Sequence, residues 1–333
     1  MNRLTENKIV LITRPTRLAE LVARFNTVMQ ARFYVEHLGA DFSDYQLEDE
    51  QYRLALAETQ RALAQMARVQ VIDRNFLPNF LFAPDDTVVT LGQDGLVANT
   101  LKYLNGQPVV GVNPDPARWD GQLLPFTVRD LAKVLPEVFS GRRTTKPVTM
   151  AKATLNNGQV IYGVNDLFLG PKSHVSARYL IRLGDASEQH SSSGVIVSTG
   201  LGSTGWLKSL LTGAATIAHN AGTARARKAL DELPLDDSVR PPVISKFKLT
   251  VQASVPWDSE FLFFTVREPF PSKTTGATLV FGKVTPNKPL VLVSQMPEHG
   301  VIFSDGIEKD FLEFNSGTQA VIEIAERKGR LVV

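Results

Sequence analysis

The feature that most limits what this chain can become is a change of periodicity near residue 143. Before it, buried strand-like runs alternate with helical patterns; after it, short strands follow one another with a single helical interruption. Lys8-Ile9-Val10-Leu11-Ile12-Thr13-Arg14-Pro15 is continuously apolar from Ile9 to Ile12 and ends at a proline that cannot continue a ladder, the profile of a parallel strand buried on both faces. The spacing of Leu18, Leu21, Val22, Phe25, Val28 and Met29 predicts a helical stretch over 16–39, and Tyr52, Leu56, Leu63 and Met66 predict a second helix. Strands are predicted at 69–72, 87–91 and 108–113, with a helix beginning near Leu96 and another over 128–139. This alternation predicts a Rossmann-like α/β domain around a parallel sheet. The polar, turn-rich stretch Ser140-Gly141-Arg142-Arg143-Thr144-Thr145-Lys146-Pro147 reads as a connector, so the expected division is an α/β domain over 1–143 and a β-rich domain over 144–333. In the second part, strand-like runs at 160–164, 179–183, 195–198, 247–251, 261–266, 279–281, 290–293, 301–303 and 321–324 predict a β-sandwich layer, interrupted by an alanine-rich helix over 206–233.

Composition narrows the function classes. With 333 residues the chain is long enough for two packed domains. Lys and Arg number 36 against 34 Asp and Glu, without a long block of one sign, so no nucleic-acid partner is expected. The absence of cysteine excludes disulfides, thiolate nucleophiles and Cys-ligated metals. No apolar run is long enough to span a bilayer and the N-terminus carries no leader pattern, so no membrane partner and a cytoplasmic location are expected. The histidines His37, His174, His190, His219 and His299 show no metal-ligand spacing, and no protein metal site is expected. His190 stands out for its place just before the run Ser191-Ser192-Ser193.

Three constellations carry chemistry. Gly92-Gln93-Asp94-Gly95 lies between a buried strand and a helix start, where free N–H groups favour an anion and Asp94 can take a hydroxyl proton; the same residues also fit a plain turn or an aspartate N-cap. Asn165-Asp166 follows a strand and offers an amide and a carboxylate to ribose hydroxyls or a base edge, or closes an Asx-type turn. Val195-Ile196-Val197-Ser198-Thr199-Gly200-Leu201-Gly202-Ser203-Thr204-Gly205-Trp206 is a strand, a loop of small residues and a helix start. It contains G-x-G-x-x-G, but no acidic residue follows at the dinucleotide-fold spacing, the next being Asp231, and Trp206-Leu207 replace the Lys and hydroxyl residue of a P-loop. The hydroxyls of Ser203 and Thr204 are candidates for a bound nucleotide.

In this order the constellations resemble the ATP-dependent NAD kinase family, whose hallmarks are a Gly-Gly-Asp-Gly turn, an Asn-Glu pair and a Gly-Ser-Thr loop. Val110-Gly111-Val112-Asn113-Pro114-Asp115-Pro116 with Gly121 and Leu123, Thr16-Arg17-Leu18, Ser192-Ser193-Gly194 and the stretch from Ser259 to Val266-Arg267-Glu268-Pro269 are similar to its mitochondrial-type branch. The resemblance implies an active site between an α/β and a β-rich domain. It gives Asp94 the catalytic role, Gly92, Gln93 and Gly95 the nucleotide phosphates, and Asn165, Asp166, Ser203, Thr204, Gly205, Trp206 and Ser209 the NAD pocket. It implies ATP and NAD as substrates, Mg²⁺ carried with ATP, NADP as product, and a homodimer. This sequence departs from the family at Gln93, where a second glycine is usual, at Leu96 in place of threonine, at Asp166 in place of glutamate, and at Ser193 in place of an acid. A φ > 0 at position 93 would strain Gln by roughly 1 kcal/mol and displace phosphates. Two other readings stay open: a kinase of a sugar or another hydroxyl acceptor, and a nucleotide-binding regulator with catalysis weakened by Gln93.

Overall fold

The computed structural model describes residues 4–231 and 255–333, with backbone only for 223–231; the strand expected at 247–251 and the end of the helix expected over 206–233 lie outside these. Strand β1 (Lys8–Thr13) pairs in parallel with β2 (Arg68–Asp73) and β3 (Thr87–Leu91), and β3 pairs in parallel with β4 (Pro108–Val112). Ile9, Val10, Leu11 and Ile12 are all fully buried, because helices cover both faces of this sheet.

The predicted helical stretch over 16–39 is two helices. Helix α1 (Arg17–Phe25) ends where Asn26 adopts a left-handed φ of 67°, and α2 (Val28–His37) restarts with the Thr27 hydroxyl accepting the Gln30 N–H at 3.1 Å. Helix α3 (Phe42–Ala64) and helix α5 (Leu131–Phe139) bury Tyr52, Ala55, Leu63, Leu131 and Leu135 against one face of the sheet. Helix α4 (Asp94–Leu101) buries Leu96, Val97 and Leu101 against the other.

The stretch expected to be a connector at 140–147 is in part a strand, β5 (Thr145–Leu155). The remaining described strands are β6 (Val160–Gly163), β7 (Asp166–Pro171), β8 (Ala177–Leu183), β9 (Ala186–Ser192), β10 (Val195–Ser198), β11 (Leu262–Val266), β12 (Phe281–Val284), β13 (Leu290–Ser294), β14 (Gly300–Ser304), β15 (Phe311–Glu313) and β16 (Gln319–Val332), with helix α6 (Trp206–Asp231) after β10. Strand β16 is far longer than the run at 321–324. Its first half lies between β13 and β5; beyond an irregularity between Ile324 and Lys328, Arg330 and Leu331 pair in parallel with Pro108 and Val109 of β4. One sheet therefore runs from β2 to β9, with β5 and β16 crossing from its parallel part into its antiparallel part.

A second sheet, ordered β12-β11-β10-β7-β14-β15, packs on the antiparallel part. Leu167, Leu169, Val195, Val197, Phe264 and Ile302 from its inner face meet Ala153, Ile181, Leu290, Leu292 and Ile322 in one apolar core. The fold is thus an N-terminal α/β layer on a mixed sheet followed by an antiparallel all-β sandwich, in agreement with the expected class.

Gly111 in β4 is the tightest joint of the N-terminal part, since a Cβ there would collide with the backbone carbonyl of Leu123. We expect Gly111→Ala to lower stability by about 1–3 kcal/mol, the range for overpacking against rigid neighbours, measurable by urea denaturation. An unchanged midpoint would mean that the 121–124 turn yields freely.

Candidate active site

The first constellation sits where β3 hands over to α4. Gly92 N–H donates to Val112 O at 3.2 Å, and Gln93 is the N-cap of α4 with φ −119° and ψ 163°. That backbone is extended and open to any side chain, so the φ > 0 that would have penalised Gln93 is not what the turn uses. Nor is Asp94 the cap: it is the first helical residue, and its half-buried carboxylate turns across to another loop. There Oδ1 accepts the Leu123 N–H at 2.7 Å and Oδ2 the Gln122 N–H at 3.3 Å. Each oxygen keeps a further lone pair. Beside it the amides of Asp94 and Gly95, at the helix start, have no intrahelical carbonyl to bond, and Gly95 faces open space.

The loop that holds Asp94 explains the Gly111 to Leu123 pattern. Gly121 takes φ 63°, Leu124 N–H bonds Gly121 O at 3.1 Å, and the Asn113 amide donates to Trp119 O at 2.8 Å. These contacts, with the space left by Gly111, aim two amides at Asp94.

The second constellation is fixed by a residue that the sequence reading missed. Asp305, half-buried and at a left-handed φ of 54°, accepts N–H bonds from Val164 at 3.0 Å, Asn165 at 2.6 Å and Asp166 at 3.3 Å, and its own N–H bonds Asp166 O at 3.0 Å. The turn is therefore closed from outside, by Asp305, and not by its own Asn165 side chain. Burial raises the Asp305 carboxyl pKa, against the pull of Lys102 and these amides. Lys102, at the far end of α4, is buried with Nζ on Ser304 Oγ at 3.0 Å and on Asp310 Oδ2 at 2.9 Å; Asp310 also takes the Tyr103 hydroxyl. Only the dipeptide Asp305-Gly306 signalled a turn in this region; the distant partners had no sequence signal.

Burial also pushes the Asp166 carboxyl up to about 7, opposed by a hydrogen bond from Ser198 and reinforced by the charge of Asp305. Its Oδ1 is enclosed and has no hydrogen-bond partner.

The third constellation packs directly on the second. Thr199 N–H bonds Asn165 O at 2.9 Å, its hydroxyl bonds Val164 O at 2.6 Å, and Gly202 lies so close to the Asn165 carbonyl that no side chain fits. The Ser203 hydroxyl donates to Gly200 O at 2.7 Å and that of Ser209 to Gly205 O at 3.3 Å, so both are occupied as donors and keep only acceptor lone pairs. Thr204, Gly205 and Ser209 are exposed. Trp206 stacks on Phe168 with ring centres 5.9 Å apart. Because β10 pairs antiparallel with β7 and β11, G-x-G-x-x-G is not part of a βαβ unit here.

Leu96 and Val97 of α4, Leu123 of the Asp94 loop, Val164 beside Asn165, and Leu201 of the small-residue loop share one apolar cluster. The structure thus brings all three constellations to a common core. His190 is a buried structural residue, with Nε2 on Glu188 at 2.6 Å and Nδ1 near the Tyr179 hydroxyl at 3.4 Å. Among the described residues no group of three His, Asp or Glu is arranged to hold a metal ion, and no helix is long and apolar enough to cross a membrane.

Against solved structures, the chain is similar to an NAD kinase from Archaeoglobus fulgidus crystallised in complex with ATP, with TM-score 0.53 and 14% identity over 98% of this chain and 93% of that one. The fold is that of NAD kinases. A yeast NADH kinase complexed with NADH gives TM-score 0.53 and 15% identity over 99% of this chain and 84% of that one. No protein-family model and no curated protein matches the chain. At these identities the likeness is one of architecture.

The raised Asp166 pKa has a measurable sign. A carboxyl whose pKa rises on folding, from 3.8 to about 7, favours the protonated form in the folded state, so its contribution is retained below the unfolded value and lost as pH climbs through the folded one. We expect Asp166→Asn to gain stability relative to the parent between about pH 4 and about pH 7 and to hold a constant margin above, read from urea midpoints across pH. A margin independent of pH would mean that Asp166 is ionised throughout.

Proposed function

We propose that the chain transfers the γ-phosphate of ATP to the 2′-hydroxyl of the adenosine ribose of NAD, giving NADP. The observation that carries this reading is the Asp94 carboxylate, held by two amides at the open N-terminal end of α4 with lone pairs to spare. Phosphoryl transfer asks for phosphates on backbone N–H groups, an acceptor hydroxyl in line, and a base for its proton. Asp94 and Gly95 supply the amides, and Asp94 supplies the base. The hydroxyl oxygen forms a bond to the γ-phosphorus, its proton passes to Asp94, and the bond to the bridging oxygen breaks to release ADP. Mg²⁺, brought as part of the ATP substrate, would supply charge neutralisation at the phosphates, and such an ion would be held largely by phosphates and water.

Asn165 and Asp166 fit the recognition of a dinucleotide ribose. The partnerless Oδ1 of Asp166 is an enclosed acceptor lacking a donor, and a sugar hydroxyl is the group that would complete it. The similarity of fold to kinases of NAD and NADH supports the same class of chemistry. The extended backbone at Gln93 removes the conformational reason for expecting a weakened enzyme.

Purified protein with ATP, Mg²⁺ and NAD should form NADP, and Asp94→Asn should lower kcat by roughly 10²–10⁴ with circular dichroism and melting temperature retained. Full turnover in that variant would remove Asp94 from the mechanism. Gln93→Gly should change kcat by less than about threefold, because the turn already has the conformation that any residue adopts; a tenfold gain would show the side chain blocking the phosphates.

A further inference from the structure

His190 and the run Ser191-Ser192-Ser193 take no part in the Asp94 site, yet they border a cavity of about 620 Å³ at the far end of the first sheet. Strand register builds its floor. Arg178 of β8 stands opposite Ser191 of β9; Ser294 pairs with Tyr179, so Gln295 lies opposite Arg178, its N–H on Arg178 O at 2.9 Å. Ser191, Arg178 and Gln295 therefore form one row across neighbouring strands, on one face of the sheet. The other face is pinned beneath them. Tyr179 OH lies 2.8 Å from Ser192 Oγ and 3.4 Å from His190 Nδ1, and His190 Nε2 lies 2.6 Å from Glu188. With His190 and Ser192 buried, the alternation of β9 turns Gln189 and Ser191 to the cavity. The opposite wall is the segment 268–275, tied to β9 by Phe270 N–H on Ser191 O at 2.8 Å and by Gly276 N–H on Gln189 O at 2.9 Å. Its turn brings Ser272, Thr274 and Thr275 to the same space.

The described lining carries seven serine or threonine side chains and two glutamines around the Arg178 guanidinium. Arg178 is exposed, and among the described residues it has no hydrogen bond or ion pair. The carboxylate of the lining, Glu268, takes the Ser193 hydroxyl instead of meeting Arg178. A free guanidinium offers a planar fork of donors to a phosphate, while hydroxyls and amides donate and accept as sugar hydroxyls do. Besides its histidines the described lining holds one ring, Phe270, so a nucleobase finds no stacked platform there. The volume falls within the roughly 300–1,000 Å³ of small-molecule sites. Five strand spacings separate β9 from β3, the strand that leads to Asp94, on the order of 24 Å. We propose that this cavity is a second ligand site, remote from Asp94, that binds a sugar phosphate. Arg178 holds the phosphate, and Ser191, Gln295 and the hydroxyls of the 272–275 turn hold the sugar.

Calorimetry on the full chain with glucose 6-phosphate, fructose 6-phosphate and ribose 5-phosphate, against the free sugars and inorganic phosphate, tests it. At least one sugar phosphate should bind about tenfold or more tightly than both its own sugar and inorganic phosphate, the scale of a charge-assisted pair. Arg178→Met should erase the preference over the sugar, and Arg178→Lys should retain part of it. Ser191→Ala combined with Gln295→Ala should narrow the preference over inorganic phosphate. Saturating NAD should leave the affinity unchanged. Because Arg178 is exposed and unpaired, its replacement should keep the melting temperature, so that a lost preference reports the site and not the fold. Sugar phosphates bound no better than their sugars, inorganic phosphate bound as tightly as the best of them, a preference that survives Arg178→Met, or displacement by NAD would each overturn the proposal.

Discussion

The arrangement of the site depends on one half-buried carboxylate. Asp305 gathers the N–H groups of three consecutive residues, 164 to 166, and so fixes the turn that presents Asn165 and Asp166. Nothing else among the hydrogen bonds of that turn does this. The small-residue loop then builds on the same turn, because Thr199 bonds the carbonyls of Val164 and Asn165, and the absence of a side chain at Gly202 lets the two backbones touch. Two constellations that look independent in sequence are one object held from beneath.

A carboxylate withdrawn from water is costly unless its charge is met. Three amides and Lys102 offset part of that cost, the carboxyl pKa staying raised, and Lys102 is itself held by Ser304 and Asp310. The lysine ends α4, whose first residue is Asp94. The helix is eight residues long, so its two ends are on the order of 12 Å apart. Through it the charge balance at Asp305 and the carboxylate over the glycine turn belong to one rigid body. Three carboxyls, those of Asp166, Asp305 and Asp310, lie in this region, and Lys102 acts on the last two. Of the three, only Asp310, with the direct pair, has its pKa lowered, whereas burial raises both Asp305 and Asp166, the latter to about 7.

Much of the fold was legible because it is local. Continuous apolar runs gave β1, β3 and β10 at or within a residue of their limits, and the strand, glycine turn and helix around Asp94 could be read from adjacent residues. The failures are non-local or masked by charge. Strand β5 begins in Thr145-Lys146-Pro147, which reads as a connector, and it is a strand because β16 lies beside it from Thr145 to Leu155. The second half of β16, Glu326-Arg327-Lys328-Gly329-Arg330, carries no apolar period, yet it is needed to complete the parallel sheet beside β4. Asp305 was invisible for the same reason. Its partners lie about 140 positions earlier, and an Asp-Gly pair after a strand signals only a turn.

The departure at Gln93 shows how a sequence rule can be right about chemistry and wrong about need. Glycine is indispensable where φ is positive or where another backbone comes too close. At Gly202 and Gly111 the close approach is real, to the carbonyls of Asn165 and Leu123. At position 93 neither condition holds, since the residue is an extended helix cap with its side chain half-exposed. Asp94 itself is held by the 121–124 turn that reaches over to it. What must be small is therefore β4 beneath that turn, and what must be acidic is residue 94; the residue between Gly92 and Asp94 is free to be anything that leaves the helix amides uncovered.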